Sequence, residues 1–443
     1  MSHSHTPDAA QPRRSLHLNV NMLSSGFLPS AWRYADSRPD AFIDIDHYLQ
    51  IARTAERGKL DALFLADQVS IADRIDLRPI NALEPTVLLA ALSTATTHIG
   101  LIGTASTTYS DPYNLARRFA SLDHISHGRV AWNIVTSSDA AASHNFGLNG
   151  PLAHTTRYER AAEFVDVVKA LWHSWEADAL VGDKATGRFA DPAKIHAIDH
   201  KGTFLDVRGP LNVPRTPQGR PLLVQAGGSG DGRALAARHA DAVFSASQSL
   251  EEAIAYAHDL RQRAQTFGRD PGSIVVLPGL TTIIGGTVEE AERRKRDLLD
   301  LLDIDYAISR LSGVLGIDPS RLHPDRELPD DIPLPQDGGH TFFHATLAQA
   351  RAHRYTFRQL VYALAGGTGH RVVTGTPEQI ADDIEHWFKA GAADGFNLMP
   401  DVLPSGLTAF VDGVVPLLQQ RGLFRQDYAE TTLRERFGLP VPG

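Results

Sequence analysis

Ile99-Gly-Leu-Ile-Gly-Thr104, then Tyr113-Asn-Leu-Ala-Arg-Arg-Phe-Ala-Ser-Leu-Asp-His124, then Arg129-Val-Ala-Trp-Asn-Ile-Val135 follow one another in the chain. The first and last runs have the length and apolar content of buried strands, and the middle one has the length of a helix. Strand, helix and strand in that order form a parallel unit, because parallel strands need a long crossover between them. Toward the N-terminus the pattern repeats. Leu16, Leu18 and Val20 alternate with His17, Asn19 and Asn21 in a strand. Asp44 to Arg57 carries Ile45, Tyr48, Leu49, Ala52 and Ala55 at helical spacing, with Gly58 as C-cap, and Ala62 to Ala66 is a buried strand followed by a helix from Pro85 to Thr96. Toward the C-terminus come a long helix from Tyr158 to Trp172 and strands at Leu222–Ala226, Ala242–Ser245 and Ile274–Thr282. Helices lie near Gly232–His239 and Leu250–Phe267. A helix at Pro377–Ala390, a strand at Gly395–Met399 and a helix near Leu407–Gln420 close the series.

Eight strands with helices between nearly all of them point to a closed (β/α)8 TIM barrel rather than an open doubly wound sheet. We expect one domain over residues 16–440 after a disordered start, 1–15, with insertions near 173–220 and 303–368. The first insertion contains a hairpin-like stretch, Lys201-Gly-Thr-Phe-Leu-Asp-Val-Arg208. The second is long enough to act as a lid, a surface ornament or an oligomer contact. There is no internal repeat.

Composition narrows the function. The 443 residues hold 43 Lys+Arg against 52 Asp+Glu, a net charge of −9, which makes a poor partner for nucleic acid. Cys 0 excludes disulfides, thiolate metal sites and cysteine nucleophiles. No run approaches the roughly 18 apolar residues of a membrane span, and the polar start lacks a signal peptide, so a cytoplasmic enzyme is expected.

In a parallel barrel the active site lies past the C-terminal ends of the strands. Those positions are Asn21, Asp67-Gln68, Thr104–Thr107, Asn133–Ser138, Ala226–Asp231 and Ser245–Gln248. They lack the paired carboxylates of a glycosidase. They also lack clustered histidines: His3/His5 lie in the start, and His340-Thr-Phe-Phe-His344 has no Glu beside its first His, so no metal is expected. The stretch Leu222-Leu-Val-Gln-Ala-Gly-Gly-Ser-Gly-Asp-Gly-Arg233 runs from a strand through a glycine-rich turn into a helix. Such a turn can gather backbone N–H groups around a phosphate, with Ser229 as a further donor, or it can be no more than a flexible connection. His154-Thr-Thr-Arg-Tyr158 places His154 and Tyr158 on one helix face, either as ligand contacts or as ordinary packing. Asp67 is either a site carboxylate or a cap.

Several stretches resemble the bacterial-luciferase-like FMN-dependent monooxygenases of the nitrilotriacetate/dibenzothiophene-sulfone/long-chain-alkane monooxygenase family. They include A-E-R-G-K-L-D-A-L-F-L-A-D (55–67), T-A-S-T-T-Y-S-D-P-Y-N (104–114), A-W-N-I-V-T-S (131–137), R-Y-E-R-A-A-E-F (157–164), R-G-P-L-N-V-P-R (208–215) and G-T-P-E-Q-I-A-D-D (375–383). The resemblance covers about residues 16 to 440. It implies a two-component enzyme that receives reduced FMN (FMNH2) from a separate flavin reductase and uses O2 to oxygenate a small organic substrate. It also implies a homodimer or homotetramer. By position, the flavin-binding residues fall on Asp67, Thr104, Asn133, His154, Tyr158, Gly228 and Ser229. Thr104 and Asn133 lie at the polar edge of the flavin ring, and the last four surround the phosphate. Phe27 and Trp32 are expected to shape the substrate pocket, and no catalytic residue is assigned. The sulfone- and alkane-oxidising relatives carry a histidine shortly before Trp-Arg and another in the late insertion. Here those segments read Ser24-Ser-Gly-Phe-Leu-Pro-Ser-Ala-Trp32-Arg33 and Ser309-Arg-Leu-Ser-Gly-Val314, without either histidine. The substrate classes left are an amino-polycarboxylate, a thioether or another organosulfur compound. A deazaflavin-dependent oxidoreductase and a non-catalytic flavin-binding protein are the alternatives.

Overall fold

A computed structural model describes residues 14–71, 74–334, 340–364 and 370–442. Local chemistry starts the helices where the sequence predicts them. Glu84 accepts from Val87 N ahead of Pro85, and Asp111 accepts from Asn114 N ahead of Pro112. Thr376 and Gln379 form a reciprocal capping box ahead of Pro377. The strands are β1 (His17–Asn21), β2 (Ala62–Leu65), β3 (Gly100–Ser106), β4 (Val130–Val135), β5 (Leu222–Gln225), β6 (Ala242–Ser245), β7 (Val275–Ile284), β8 (Arg371–Gly375) and β9 (Gly395–Pro400). The outer helices used below are α1 (Ile45–Arg57), α2 (Pro85–Ala95), α3 (Pro112–Ile125), α4 (His154–Trp172), α5 (Gly230–His239), α6 (Leu250–Thr266), α7 (Val288–Asp300) and α8 (Ile304–Leu315).

Strands β1 to β7 pair in chain order, all parallel, and β9 closes the ring between β7 and β1. This is the expected eight-stranded barrel. Strand β8 adds to it. The first four residues of β7 pair with β6 (Ala242↔Val275 to Ser245↔Pro278), and its last five pair with β8 (Leu280↔Arg371 to Ile284↔Gly375). Since β9 occupies the other edge of β7, β6 and β8 share one edge in succession.

Alternate residues of successive strands meet in one apolar cluster, the barrel interior: Ala62 and Phe64, Ile102, Ala131, Leu222 and Val224, Ala242, and Val275 and Leu277. Leu433, Phe437 and Leu439 from the C-terminal segment belong to the same cluster and plug the N-terminal end of the barrel. Arg434 fastens the plug, donating to the carbonyls of Gln218 and Arg220, both at 3.2 Å.

Three aspartates clasp that end. Asp61, Asp241 and Asp394 each stand one residue before a strand and accept an amide of the strand that precedes it around the barrel, from Leu18 of β1 (2.6 Å), Leu223 of β5 (2.8 Å) and Val276 of β7 (2.9 Å). Each is answered by an arginine: Arg425, Arg220 and Arg261. Burial alone would raise the Asp61 and Asp241 carboxyls, yet the arginines win and hold both well below the usual carboxylate range.

The early insertion forms two short hairpins, Leu180–Asp183 with Arg188–Ala190 and His200–Lys201 with Asp206–Val207. The late insertion has its own core, in which Leu311 and Leu315 of α8 pack with Phe343, Phe357 and Leu360. Of the expected disordered start, residues 1–13 lie outside the described residues, as do 335–339 and 365–369 of the late insertion and the side chain of His340. Arg14 is tied to Asp394 at 2.7 Å. No helix among the described residues is long and apolar enough to cross a membrane.

Candidate active site

The glycine-rich turn joins β5 to α5. Ser229 is the N-cap, its Oγ accepting from Gly232 N at 3.1 Å. The turn is held back from behind: Tyr256 Oη of α6 donates to the Gly227 carbonyl at 2.7 Å, and Arg233 Nε donates to the Gly228 carbonyl at 3.1 Å. In a trans peptide the N–H points opposite to the C=O. Fixing these two carbonyls therefore turns the Gly228 and Ser229 amides the other way, and neither amide has a partner among the described residues. Close packing explains two of the glycines. A Cβ on Gly227 would lie 2.8 Å from the Gly232 carbonyl carbon, and one on Gly232 would lie 3.1 Å from Gly227 Cα.

The first turn of α4 stands beside this loop. Tyr158 Oη is 3.5 Å from Ser229 Oγ, the His154 and Tyr158 rings are 4.8 Å apart, and His154 Nδ1 meets Asp231 Oδ2 at 3.1 Å. Four of the sequence-derived residues, His154, Tyr158, Gly228 and Ser229, thus come together. Gly228 and Ser229 also line a cavity of about 660 Å³ with Phe244, Ser245, Tyr256 and His370.

Thr104 and Asn133 form a second pair. They follow Ile102 and Ala131 by two residues and so share the interior face. Asn133 Nδ2 donates to Thr104 Oγ1 at 2.9 Å, and both side chains are buried. Asn133 Oδ1 is left without a partner among the described residues, as are Asn21 Oδ1 and Gln225 Oε1. The apolar floor of the barrel therefore gives way to a polar layer at its C-terminal end, with acceptors to spare.

Asp67 and Phe27 line a neighbouring cavity of about 330 Å³, and His370 lines both cavities. Burial, with Glu84 nearby, pushes the Asp67 carboxyl up to about 6. His370 is stacked on Phe244 (centroids 5.1 Å apart) with Phe27 edge-on, and burial pushes its imidazole down to about 4, so it is neutral at pH 7. Trp32 lines neither cavity: its Nε1 donates to the Leu77 carbonyl at 2.9 Å, and it lines a further hollow beside Leu301 that shares Tyr306 with the second cavity. Sequence reading misses Tyr256, Arg233 and His370. Tyr256 and Arg233 sit at unremarkable helix positions, and His370 follows a glycine-rich run far from any strand recognisable by its composition. No three His, Cys, Asp or Glu side chains among the described residues are grouped to hold a metal ion.

Residues 23–394 match the family described as luciferase-like monooxygenase. The chain is 45% identical over 431 residues (97% of this chain, 98% of the relative) to the N-acetyl-S-(2-succino)cysteine monooxygenase of Bacillus subtilis (strain 168). It is 44% identical over 442 residues, 97% of each, to the nitrilotriacetate monooxygenase component A of Aminobacter aminovorans. Among solved structures, the EDTA monooxygenase from Chelativorans sp. BNC1 superposes with a TM-score of 0.81 at 38% identity, covering 97% of this chain and 99% of that one. Family and fold agree with a barrel whose polar mouth adjoins a glycine-rich cradle: the chain belongs to the luciferase-like monooxygenase family and is an oxidoreductase, a flavin-dependent monooxygenase.

Proposed function

We propose that this chain is the oxygenase component of a cytoplasmic two-component system, a homodimer or homotetramer that takes FMNH2 from a separate flavin reductase. With O2 it oxygenates a small organic substrate, an amino-polycarboxylate, a thioether or another organosulfur compound. The observation that carries this reading is the β5–α5 turn. Its Gly228 and Ser229 amides are turned away from α6 and have no partner among the described residues, they sit at a helix N-terminus, and a hydroxyl and a phenol stand beside them. Those are the donors a phosphate monoester needs. A first cavity of about 660 Å³ lies in the range of cofactor sites.

The remaining residues fit the same group. Ser229, Tyr158 and His154 would hold the phosphate. Asn133 and Gln225, each with an oxygen unpartnered among the described residues, would accept from the N–H edge of a flavin ring, with Thr104 fixing the Asn133 amide. When bound, reduced FMN would supply the electrons that activate O2 for oxygenation of the substrate. The polar layer would orient the ring, and Phe244 and the neutral His370 would wall the cavity that holds it. Asp67, pushed up to about 6, is positioned to release or take up a proton near neutral pH.

The test is an anaerobic titration with FMNH2, followed by rapid mixing with oxygenated buffer while absorbance is recorded. Tight binding and a spectrum that persists before oxidised FMN appears are expected. A substrate oxygenated with one atom from labelled O2 would exclude a mere flavin carrier. Failure to bind FMNH2 would sink the proposal.

A further inference from the structure

The second cavity sets three arginines, Arg74, Arg78 and Arg310, against one lining carboxylate, Asp67. Helix α8 of the late insertion carries Tyr306 and Arg310 four residues apart, hence on one face, and both line the cavity together with Arg78. Arg310 keeps an accessible side chain although protein surrounds it, and this enclosure, with the charge of Arg78 beside it, weakens its hold on its proton. Arg78 reaches the Tyr306 hydroxyl and the Phe27 carbonyl, both at 3.5 Å, the outer limit of a hydrogen bond. Neither guanidinium has a carboxylate partner among the described residues. The third arginine of the wall, Arg74, is already engaged by Asp76 through two bonds of 3.1 and 3.0 Å.

Two neighbouring guanidinium groups in a recess repel each other and lose hydration, a cost that an anion between them reverses. Their planar forks match the two oxygens of a carboxylate. The recess adjoins the first cavity, with His370 in the wall of both. We propose that Arg78 and Arg310 form a carboxylate-recognition subsite, so that the substrate is an organic carboxylate anion, anchored in the second cavity with its reacting end carried past His370 to the first. This rests on the reading that the first cavity takes the flavin. Within the classes named above it selects the carboxylate-bearing compounds over neutral thioethers and sulfones.

The test is calorimetric titration of anaerobic, FMNH2-saturated protein with nitrilotriacetate, succinate, the neutral trimethyl ester of nitrilotriacetate, and dimethyl sulfone. Nitrilotriacetate or succinate is expected to bind, and the neutral probes to bind at least about tenfold more weakly. R78Q and R310Q should each weaken anion binding by about tenfold or more, whereas R74Q, whose guanidinium is already paired, should change it by less than about threefold. FMNH2 affinity, measured separately, should stay within about twofold of wild type in all three. The proposal is overturned if neither anion binds the wild type, if the ester binds as well as the anion, or if R310Q binds anions unchanged. It is equally overturned if FMNH2 affinity falls in step with anion affinity, since the pair would then hold the cofactor phosphate. If wild type bound no FMNH2, the flavin reading would fail instead, and the same titrations on flavin-free protein would still report on the subsite.

Discussion

Ser229→Asp places a charge in the glycine-rich turn while leaving the local architecture intact. Ser229 caps α5 by accepting from Gly232 N, and Asp is as good an N-cap as Ser. Its charge at the helix N-terminus is worth about 0.3–1 kcal/mol in favour of the fold. The Ser229–Tyr158 hydrogen bond that the substitution removes spans 3.5 Å and is weak. Folding stability should therefore stay the same or rise slightly. Binding should not. A phosphate monoester carries about 1.5 to 2 negative charges at neutral pH. Seated on this turn it would lie about 5 Å from the new carboxylate, where each pair of charges costs about 3 kcal/mol in a partly screened site and about 0.8 kcal/mol in bulk water. The penalty therefore spans about 1 to 6 kcal/mol, a weakening of affinity between about fivefold and four orders of magnitude, smaller at high salt. Parallel anaerobic titrations with FMNH2 and with reduced riboflavin, which lacks the phosphate, separate charge from shape. FMNH2 affinity should drop while riboflavin affinity changes by no more than about twofold. Unaltered FMNH2 binding, or equal weakening of both flavins, would refute the phosphate assignment.

Two further outcomes follow from buried groups. Thr104→Val removes the acceptor of Asn133 Nδ2 inside the barrel and should cost about 1–3 kcal/mol, seen as a lower urea midpoint at unchanged slope; an unmoved midpoint would mean that the bond contributes nothing. Asp123, fully buried and pushed up to about 6, binds its proton more tightly folded than unfolded. Its contribution to stability is thus complete below about pH 4 and is lost as pH rises through 6, a change of about 3 kcal/mol. Asp123→Asn should remove that slope, so the stability difference between variant and wild type should shift toward the variant from pH 4 to 7, and a flat difference would contradict the account.

The eight barrel strands are legible because each is a run of apolar residues between helix-length periodic stretches, so local composition and global fold agree. Arg371-Val-Val-Thr-Gly375 is not legible as a strand. It offers two adjacent apolar residues, and it becomes a strand because an edge of β7 is vacant beyond Ser245 of β6. The plug is equally silent: Leu433 and Phe437 look like surface-helix residues until the barrel floor closes over them. In the site, the glycine-rich turn and the His154–Tyr158 pair can be found from spacing within short segments. Arg78 and Arg310 lie 232 positions apart, and their meeting depends on how the late insertion packs against the β2–α2 loop. Trp32, expected to shape the substrate pocket, is tethered to the Leu77 carbonyl and lines a hollow that shares Tyr306 with the second cavity.

The relay of partners along β7 bears on how the site is walled. Where β6 leaves the edge at Ser245 and β8 takes it up at Arg371, the wall changes hands, and Phe244, Ser245 and His370 at that joint line the larger cavity. The joint itself falls at Gly279, where a Cβ would come within 2.8 Å of His370 Nδ1, Met399 Cε and Phe244 Cε2, so the absence of a side chain is what lets the stacked Phe244 and His370 rings close over the strand.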